Sequence, residues 1–198
     1  MWRATKVVAM SVTAARAPLH AGDDVVLVDA AGSPVGTAPR ASVHDTDTPL
    51  HLAFSCYVTD GAGQVLLTRR ALGKRTWPGV WTNSCCGHPR PGEPLTDAIR
   101  RRLVDELGLE VGELTCVLPD FAYRATDASG VVENEVCPVY VARTHEGSRI
   151  APDAAEVMEW TWVPWTSLGQ AVDAVPFAFS PWAALQVPLL DARPVAWA

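Results

Sequence analysis

The segment Trp81-Thr82-Asn83-Ser84-Cys85-Cys86-Gly87-His88-Pro89 sets a thiol and an imidazole two residues apart beside a flexible glycine. A cysteine there can act as a nucleophile, an acid/base group or a metal ligand, and a histidine as a ligand or a proton carrier. Glu133-Asn134-Glu135 places two carboxylates one residue apart in an apolar stretch, so strand alternation turns both to one face. Two such charges need a cation or a proton between them, unless that face lies in solvent. His44, His51 and His88 come from three separate segments. Together with Glu133 and Glu135 they offer a nitrogen and oxygen shell for a divalent metal, although each alone is an ordinary surface or core imidazole. Arg69, Arg70, Lys74 and Arg75 form a basic cluster, which reads as a solvated face unless a site lies beside it.

These groups must be carried by one domain. The chain has 198 residues, 48% hydrophobic and 19% charged, enough for one well-buried core. A net charge of −6 gives no general attraction to nucleic acid or anionic membrane, so any polyanion site must be local. No apolar stretch approaches the ~20 residues that span a bilayer, and the N-terminus has no basic segment followed by an apolar core. The five cysteines, Cys56, Cys85, Cys86, Cys116 and Cys137, are odd in number and follow no disulfide spacing. A reducing, cytoplasmic setting is expected.

Residues 1–22 are Ala-rich with weak periodicity and are expected to form a loosely held extension, with a single domain over 23–191 and a short tail over 192–198. Strands are expected at 24–29, 51–58, 64–70, 115–121, 131–142 and 158–164, with a hairpin turn at Asp60-Gly61-Ala62-Gly63. Leu95, Ala98, Ile99, Leu103 and Leu107 have helical spacing between Pro94 at the first turn and Gly108 at the cap. Short helices are expected at 166–172 and 181–190, the second limited by Pro188. Cys56, Cys116 and Cys137 are expected as core residues, and Trp77, Trp81, Trp160, Trp162 and Trp165 as core or pocket wall. Interspersed strands and helices with several hairpins make a mixed α+β domain.

From Gly87 through Glu93 and Arg101 to Leu109 the spacing resembles the Nudix box, a loop–helix–loop that holds a divalent metal against a diphosphate. The match departs from the hydrolases of that superfamily: Arg102 stands where their first acidic residue follows the arginine, Asp105 replaces Glu, and only Glu106 remains. Arg102 can grip phosphate oxygens but cannot ligate a metal. Beyond the box, Leu50-His51-Leu52-Ala53-Phe54-Ser55, Arg69-Arg70-Ala71-Leu72, Trp77-Pro78-Gly79-Val80-Trp81-Thr82-Asn83-Ser84, Cys86-Gly87-His88-Pro89, Tyr123-Arg124-Ala125, Glu133-Asn134-Glu135 and Phe179-Ser180-Pro181-Trp182 together resemble the type 1 isopentenyl-diphosphate isomerases, in that family's order, from about Val25 to Trp182.

The resemblance implies a Nudix-type mixed β-sheet sandwich flanked by helices, and an activity that interconverts isopentenyl and dimethylallyl diphosphate by adding a proton to one end of a C=C unit and removing another from the opposite face. It implies Cys86 as one acid/base group and Glu135, assisted by Tyr123, as the other, with the face of Trp182 stabilising a carbocation-like state. His44, His51, His88, Glu133 and Glu135 would hold Zn²⁺, Mn²⁺ or Mg²⁺. Glu106 would engage a second cation, Mg²⁺, on the diphosphate, whose oxygens Arg70, Lys74 and Arg102 would contact, and Arg40 stands where relatives often carry Lys. The family register makes Cys85 dispensable and favours a monomer. Two alternatives differ in their products: a pyrophosphohydrolase would release phosphate, and a non-catalytic diphosphate-binding module would leave the substrate's carbon protons unexchanged.

Overall fold

The computed structural model describes residues 23–193, so the expectation for residues 1–22 lies outside the described residues, as does the tail beyond 193. In chain order the elements are β1 (Asp24–Val28), β2 (Pro34–Pro39), α1 (Arg40–Val43), β3 (His51–Leu52), β4 (Phe54–Thr59), β5 (Gln64–Arg70), β6 (Trp81–Thr82), β7 (Cys85–Gly87), α2 (Leu95–Leu107), β8 (Val111–Leu118), β9 (Ala122–Thr126), β10 (Val132–Val136), β11 (Val139–Thr144), β12 (Val157–Pro164), α3 (Trp165–Ala174) and α4 (Pro181–Asp191). They build two mixed sheets, one ordered β2-β1-β3-β10-β9 and the other β12-β5-β4-β11-β8 with β6 on β5 and β7 on β4. No described helix is long and apolar enough to cross a membrane.

Two stretches expected as single strands each divide between the sheets. The 131–142 run breaks at Cys137-Pro138, where proline has no N–H for the ladder. The 51–58 run breaks at Ala53, whose N–H donates to Val136 O at 2.9 Å. The halves stay side by side: β3 runs parallel to β10, and β4 parallel to β11. This shared parallel pair ties the two sheets together.

The hairpin turn holds, with the Asp60 carboxylate accepting from the N–H groups of Ala62 and Gln64 at 2.7 and 3.1 Å. Beyond it, however, β4 and β5 meet only at Thr59 and Val65. They splay, and the 81–87 segment enters the gap, β6 pairing with β5 and β7 with β4. Polar side chains replace the missing ladder: Ser84 Oγ donates to Leu66 O at 2.6 Å and accepts from Val58 N at 2.7 Å, while Thr68 Oγ1 donates to Asn83 O at 2.8 Å. Buried backbone groups must be paired, so the run Thr82-Asn83-Ser84 is needed where two strands part.

One core packs α3 and α4 against Tyr57, Val65 and Val139, and the other packs the apolar face of α2 against Phe54, Cys56, Val58 and Leu66. α2 approaches β7 closely: a Cβ on Gly87 would lie 3.1 Å from Arg102 Cγ and 3.2 Å from Phe54 Cζ. Its end is capped by Gly108 at φ 59°, as the sequence indicates. α4 continues past Pro188 to Asp191, so the hydrogen bond the proline removes and the crowding of its ring against the preceding turn are accommodated within the last turns. Cys116 and Trp160, expected inside, are exposed: they sit on β8 and β12, the edge strands of their sheet.

Candidate active site

Strand register assembles the histidine and carboxylate cluster. Glu135 on β10 lies beside His51 on β3 in the parallel pair. His88 follows β7, and His44 caps the end of α1. One ligand atom from each of His44, His51, His88 and Glu135 falls within 4.8 Å of all the others. His88 Nε2 is 3.1 Å from Glu135 Oε1, and His51 Nε2 is 3.2 Å from His88 Nε2 and 3.5 Å from Glu135 Oε1.

The donor set fits a divalent cation. His51 Nδ1 faces Pro49 O at 2.9 Å, and a carbonyl can only accept, so the Nδ1 carries a hydrogen and Nε2, which holds the lone pair in the neutral ring, is the atom turned to the cluster. His44 Nε2 is buried without a hydrogen-bond partner. Lone pairs and an anion converging out of water call for a positive charge at their centre. Burial raises the Glu135 carboxyl, but where the rings turn an N–H to it in place of a cation, hydrogen bonds from the three imidazoles outweigh burial and hold it well below the usual carboxylate range, while Glu135 in turn raises His51 against the lowering by burial. Burial lowers His88 to about 4 and so keeps it neutral, as a metal ligand must be.

Glu133, expected as a fifth ligand, stands apart from this group. Its carboxylate accepts from Thr76 Oγ1 and from the Tyr123 hydroxyl. The contact expected between Tyr123 and Glu135 therefore falls on Glu133. Tyr123 is directly opposite Glu135 in the β9–β10 register, but the long ring leans to the diagonal neighbour. Burial and the adjacent Glu135 raise the Glu133 carboxyl, against the pull of Arg70 and its two hydrogen bonds.

The ladder also separates the two adjacent cysteines. Cys85 pairs with Cys56 and Cys86 with Ser55, and successive strand residues face opposite ways. Cys85 turns into the core under α2, whereas Cys86 opens into the cavity with Glu133 and Glu135. The Cys86 thiol donates to Asn83 Oδ1 at 3.1 Å and lies 3.4 Å from Ser55 Oγ. Burial pushes it up to about 12, so it is a protonated thiol at neutral pH.

This cavity, about 360 Å³, is lined by Cys86, Tyr123, Glu133, Glu135 and Trp182, and by Arg40, Arg70, Lys74 and Arg102. The residues expected as acid/base groups and as phosphate contacts therefore meet in one place. Trp182, 2% exposed, presents its ring 5.1 Å from the Arg70 guanidinium carbon, with Trp77 and Tyr123 each at 5.8 Å. Arg40 pairs with Asp23 at 2.9 Å at the rim. Of the basic cluster, Arg69 faces away and pairs with Glu159 at 2.7 Å. Glu106 lies in an adjoining small cavity with Lys74 and Glu156, its carboxyl raised by burial despite the bond from Arg102.

Three groups escaped sequence reasoning. Glu156, just before β12, binds Lys74 and lies 3.3 Å from Arg102, so it neutralises two cations expected to grip phosphate. Nothing near it in sequence distinguishes it from any loop carboxylate. Thr76 holds Glu133 from a loop, and Asn83 stands inside a recognised segment without a role having been read for it.

A NUDIX domain model matches residues 49–184. Isopentenyl-diphosphate Delta-isomerases of Frankia alni and Mycolicibacterium vanbaalenii are 63% and 59% identical to this chain, over 83% and 85% of it and 84% and 91% of their own lengths. Among solved structures, a protein of Deinococcus radiodurans superposes with a TM-score of 0.64 at 18% identity, covering 84% of this chain and 98% of its own. A MutT NUDIX hydrolase of Burkholderia pseudomallei gives 0.53 at 20%, covering 70% and 96%. At such identities the two structures speak for the fold alone. The family model covers more than half of the chain and the relatives most of it, so the chain belongs to the NUDIX superfamily and, within it, to the type 1 isopentenyl-diphosphate Delta-isomerases.

Proposed function

We propose that this protein interconverts isopentenyl and dimethylallyl diphosphate, with Cys86 and Glu135 as the two acid/base groups. The observation that carries the reading is the cavity in which a protonated thiol, a buried carboxylate pair and an indole face meet Arg40, Arg70, Lys74 and Arg102. An alkene is a poor base, so its protonation needs a strong acid and a pocket that stabilises positive charge without supplying water. The Cys86 thiol supplies or receives a proton on one face of the substrate. Glu135 does so on the other, assisted by Tyr123, whose hydroxyl bonds the neighbouring Glu133. The Trp182 ring faces the developing cation, a contact worth roughly 2 kcal/mol or more when dry.

At the polar end, Arg70, Lys74 and Arg102 bind diphosphate oxygens, with Arg40 at the rim. Substrate binding would then compete with Glu156 for Lys74 and Arg102. His44, His51, His88 and Glu135 would hold Zn²⁺, Mn²⁺ or Mg²⁺, which when bound neutralises the cluster and fixes the carboxylate. Glu106 would hold Mg²⁺ carried in with the diphosphate. The reading includes a small-molecule substrate, a monomer and a cytoplasmic location, the last supported by the five unpaired cysteines. Hydrolysis is disfavoured at α2, where Arg102 occupies the position of an acidic residue and bonds to Glu106.

The test is incubation with isopentenyl diphosphate and Mg²⁺ in D₂O, followed by NMR. Dimethylallyl diphosphate and deuterium in the carbon skeleton are expected, without phosphate release. Release of phosphate would favour hydrolysis, and binding without deuterium incorporation would favour a non-catalytic module.

A further inference from the structure

Asn83 is fully buried between β6 and β7. Its Nδ2 donates to Cys56 O at 3.0 Å and Cys85 O at 2.8 Å. Carbonyls only accept, so the amide cannot be turned round and its oxygen faces the site. That oxygen accepts from Trp182 Nε1 at 2.9 Å, Cys86 Sγ at 3.1 Å and Thr82 Oγ1 at 2.8 Å. An indole N–H only donates, which again requires the oxygen there.

The surrounding hydrogens agree. Ser180 Oγ accepts from Ala183 N at the start of α4, so its own hydrogen is free for Thr82 Oγ1 at 2.8 Å, whose hydrogen goes to Asn83. Across the thiol, Gln186 Nε2 donates to Ser55 Oγ at 2.9 Å, leaving the Ser55 hydrogen for Cys86 Sγ at 3.4 Å or Cys137 Sγ at 3.5 Å. Three donors thus share one oxygen with two lone pairs, and two of them belong to the strand and the helix that carry the proposed proton donor and cation-stabilising ring.

We propose that Asn83 is a positioning residue of the isomerase, its carboxamide oxygen holding the Cys86 thiol and the Trp182 ring in one relative geometry. The proposal rests on the roles given above to Cys86 and Trp182. Its physical basis is that proton delivery and cation stabilisation act on adjoining carbons, so the two groups must be placed together to within a fraction of an ångström. The two Nδ2 bonds serve the backbone and the oxygen serves the site, so the amide has a structural end and a functional end.

In Asn83→Ala, kcat for isopentenyl diphosphate isomerisation should fall roughly 100-fold while KM stays within about threefold. A merely structural role would lower Tm and leave kcat per folded molecule intact. A second measurement does not depend on that variant folding. In protein labelled with ¹⁵N-tryptophan, the Trp182 indole signal, assigned by its absence from Trp182→Phe, should move downfield in Cys86→Ala because one competing donor has left the oxygen. An unmoved signal would overturn the proposal. A Cys86→Ala enzyme that keeps its activity would overturn both the site reading and the proposal. An inactive Cys86→Ala enzyme beside Asn83→Ala with undiminished kcat would overturn the proposal alone.

Discussion

At the scale of single residues, adjacency in sequence and equivalence in chemistry part company at Cys85 and Cys86. Strand alternation sends one thiol into the α2 core and the other into the cavity. Cys86→Ser should therefore lose about 10³-fold in kcat, since a hydroxyl is a far weaker acid/base group than a thiol. Cys85→Ala should keep kcat within about twofold of the parent and cost on the order of 1 kcal/mol in stability, because Cys85 is 2% exposed and fills space under α2. Steady-state kinetics and urea unfolding of the two variants check both halves. A Cys85→Ala enzyme as inactive as Cys86→Ser would refute the assignment by strand face.

At the scale of elements, the loop from His88 to Pro94 is held to α2 by Glu93. Arg101 Nε and Nη2 each donate to the Glu93 carboxylate at 2.8 Å, and Arg90 N–H adds a third bond at 2.8 Å. The same Arg101 reaches His88 O at 3.3 Å, so the tie braces the backbone of a proposed metal ligand. The Arg101 fork, with further help from Arg90, holds the Glu93 carboxyl below its ordinary value of 4.5. A carboxyl lowered on folding stabilises the native state above its unfolded pKa, and that contribution disappears as pH falls through the lower folded value. Glu93→Gln should thus be less stable than the parent by about 1.5 kcal/mol at pH 7, a gap that closes below about pH 4.5. Thermal unfolding of both proteins from pH 7 to pH 3 reads this directly, and a gap constant across that range would contradict it.

α4 gives a second test at this scale. Ser180 caps its N-terminus and its hydroxyl also meets Thr82 at 2.8 Å. Ser180→Ala should cost about 1 kcal/mol or more in stability, measurable by chemical denaturation.

At the scale of the molecule, the cluster of His44, His51, His88 and Glu135 joins both sheets to the loop after α1. A cation bound there would stabilise the fold as a whole, because the unfolded chain has no such site. Chelation should abolish isomerisation and lower Tm by roughly 5–10 °C, with recovery on adding Mg²⁺, Mn²⁺ or Zn²⁺. His51→Ala should lose most of this metal-dependent shift. Elemental analysis together with calorimetry checks the prediction, and a Tm indifferent to chelator in metal-loaded protein would count against it.

Motif residues and local periodicity determined much of this protein. Chemistry-bearing types at fixed spacing are visible in the chain itself, so the cysteine–histidine pair, the carboxylate pair, the basic cluster and helix α2 with its glycine cap were legible there. So were the turn at Asp60 and the family. Only the tertiary structure decided relations between segments. The diagonal reach of Tyr123 to Glu133 depends on how a ring leans across a sheet, and the exposure of Cys116 and Trp160 depends on which strands lie at an edge. The division of two strands at Ala53 and Pro138 depends on the existence of two sheets. Glu156 and Asn83 gain meaning from partners up to 99 residues away, Trp182 in the case of Asn83. Local sequence fixes which groups are available and which face of an element they share, but hydrogen-bond partners and burial arise from packing between distant segments, and those set the chemistry of the site.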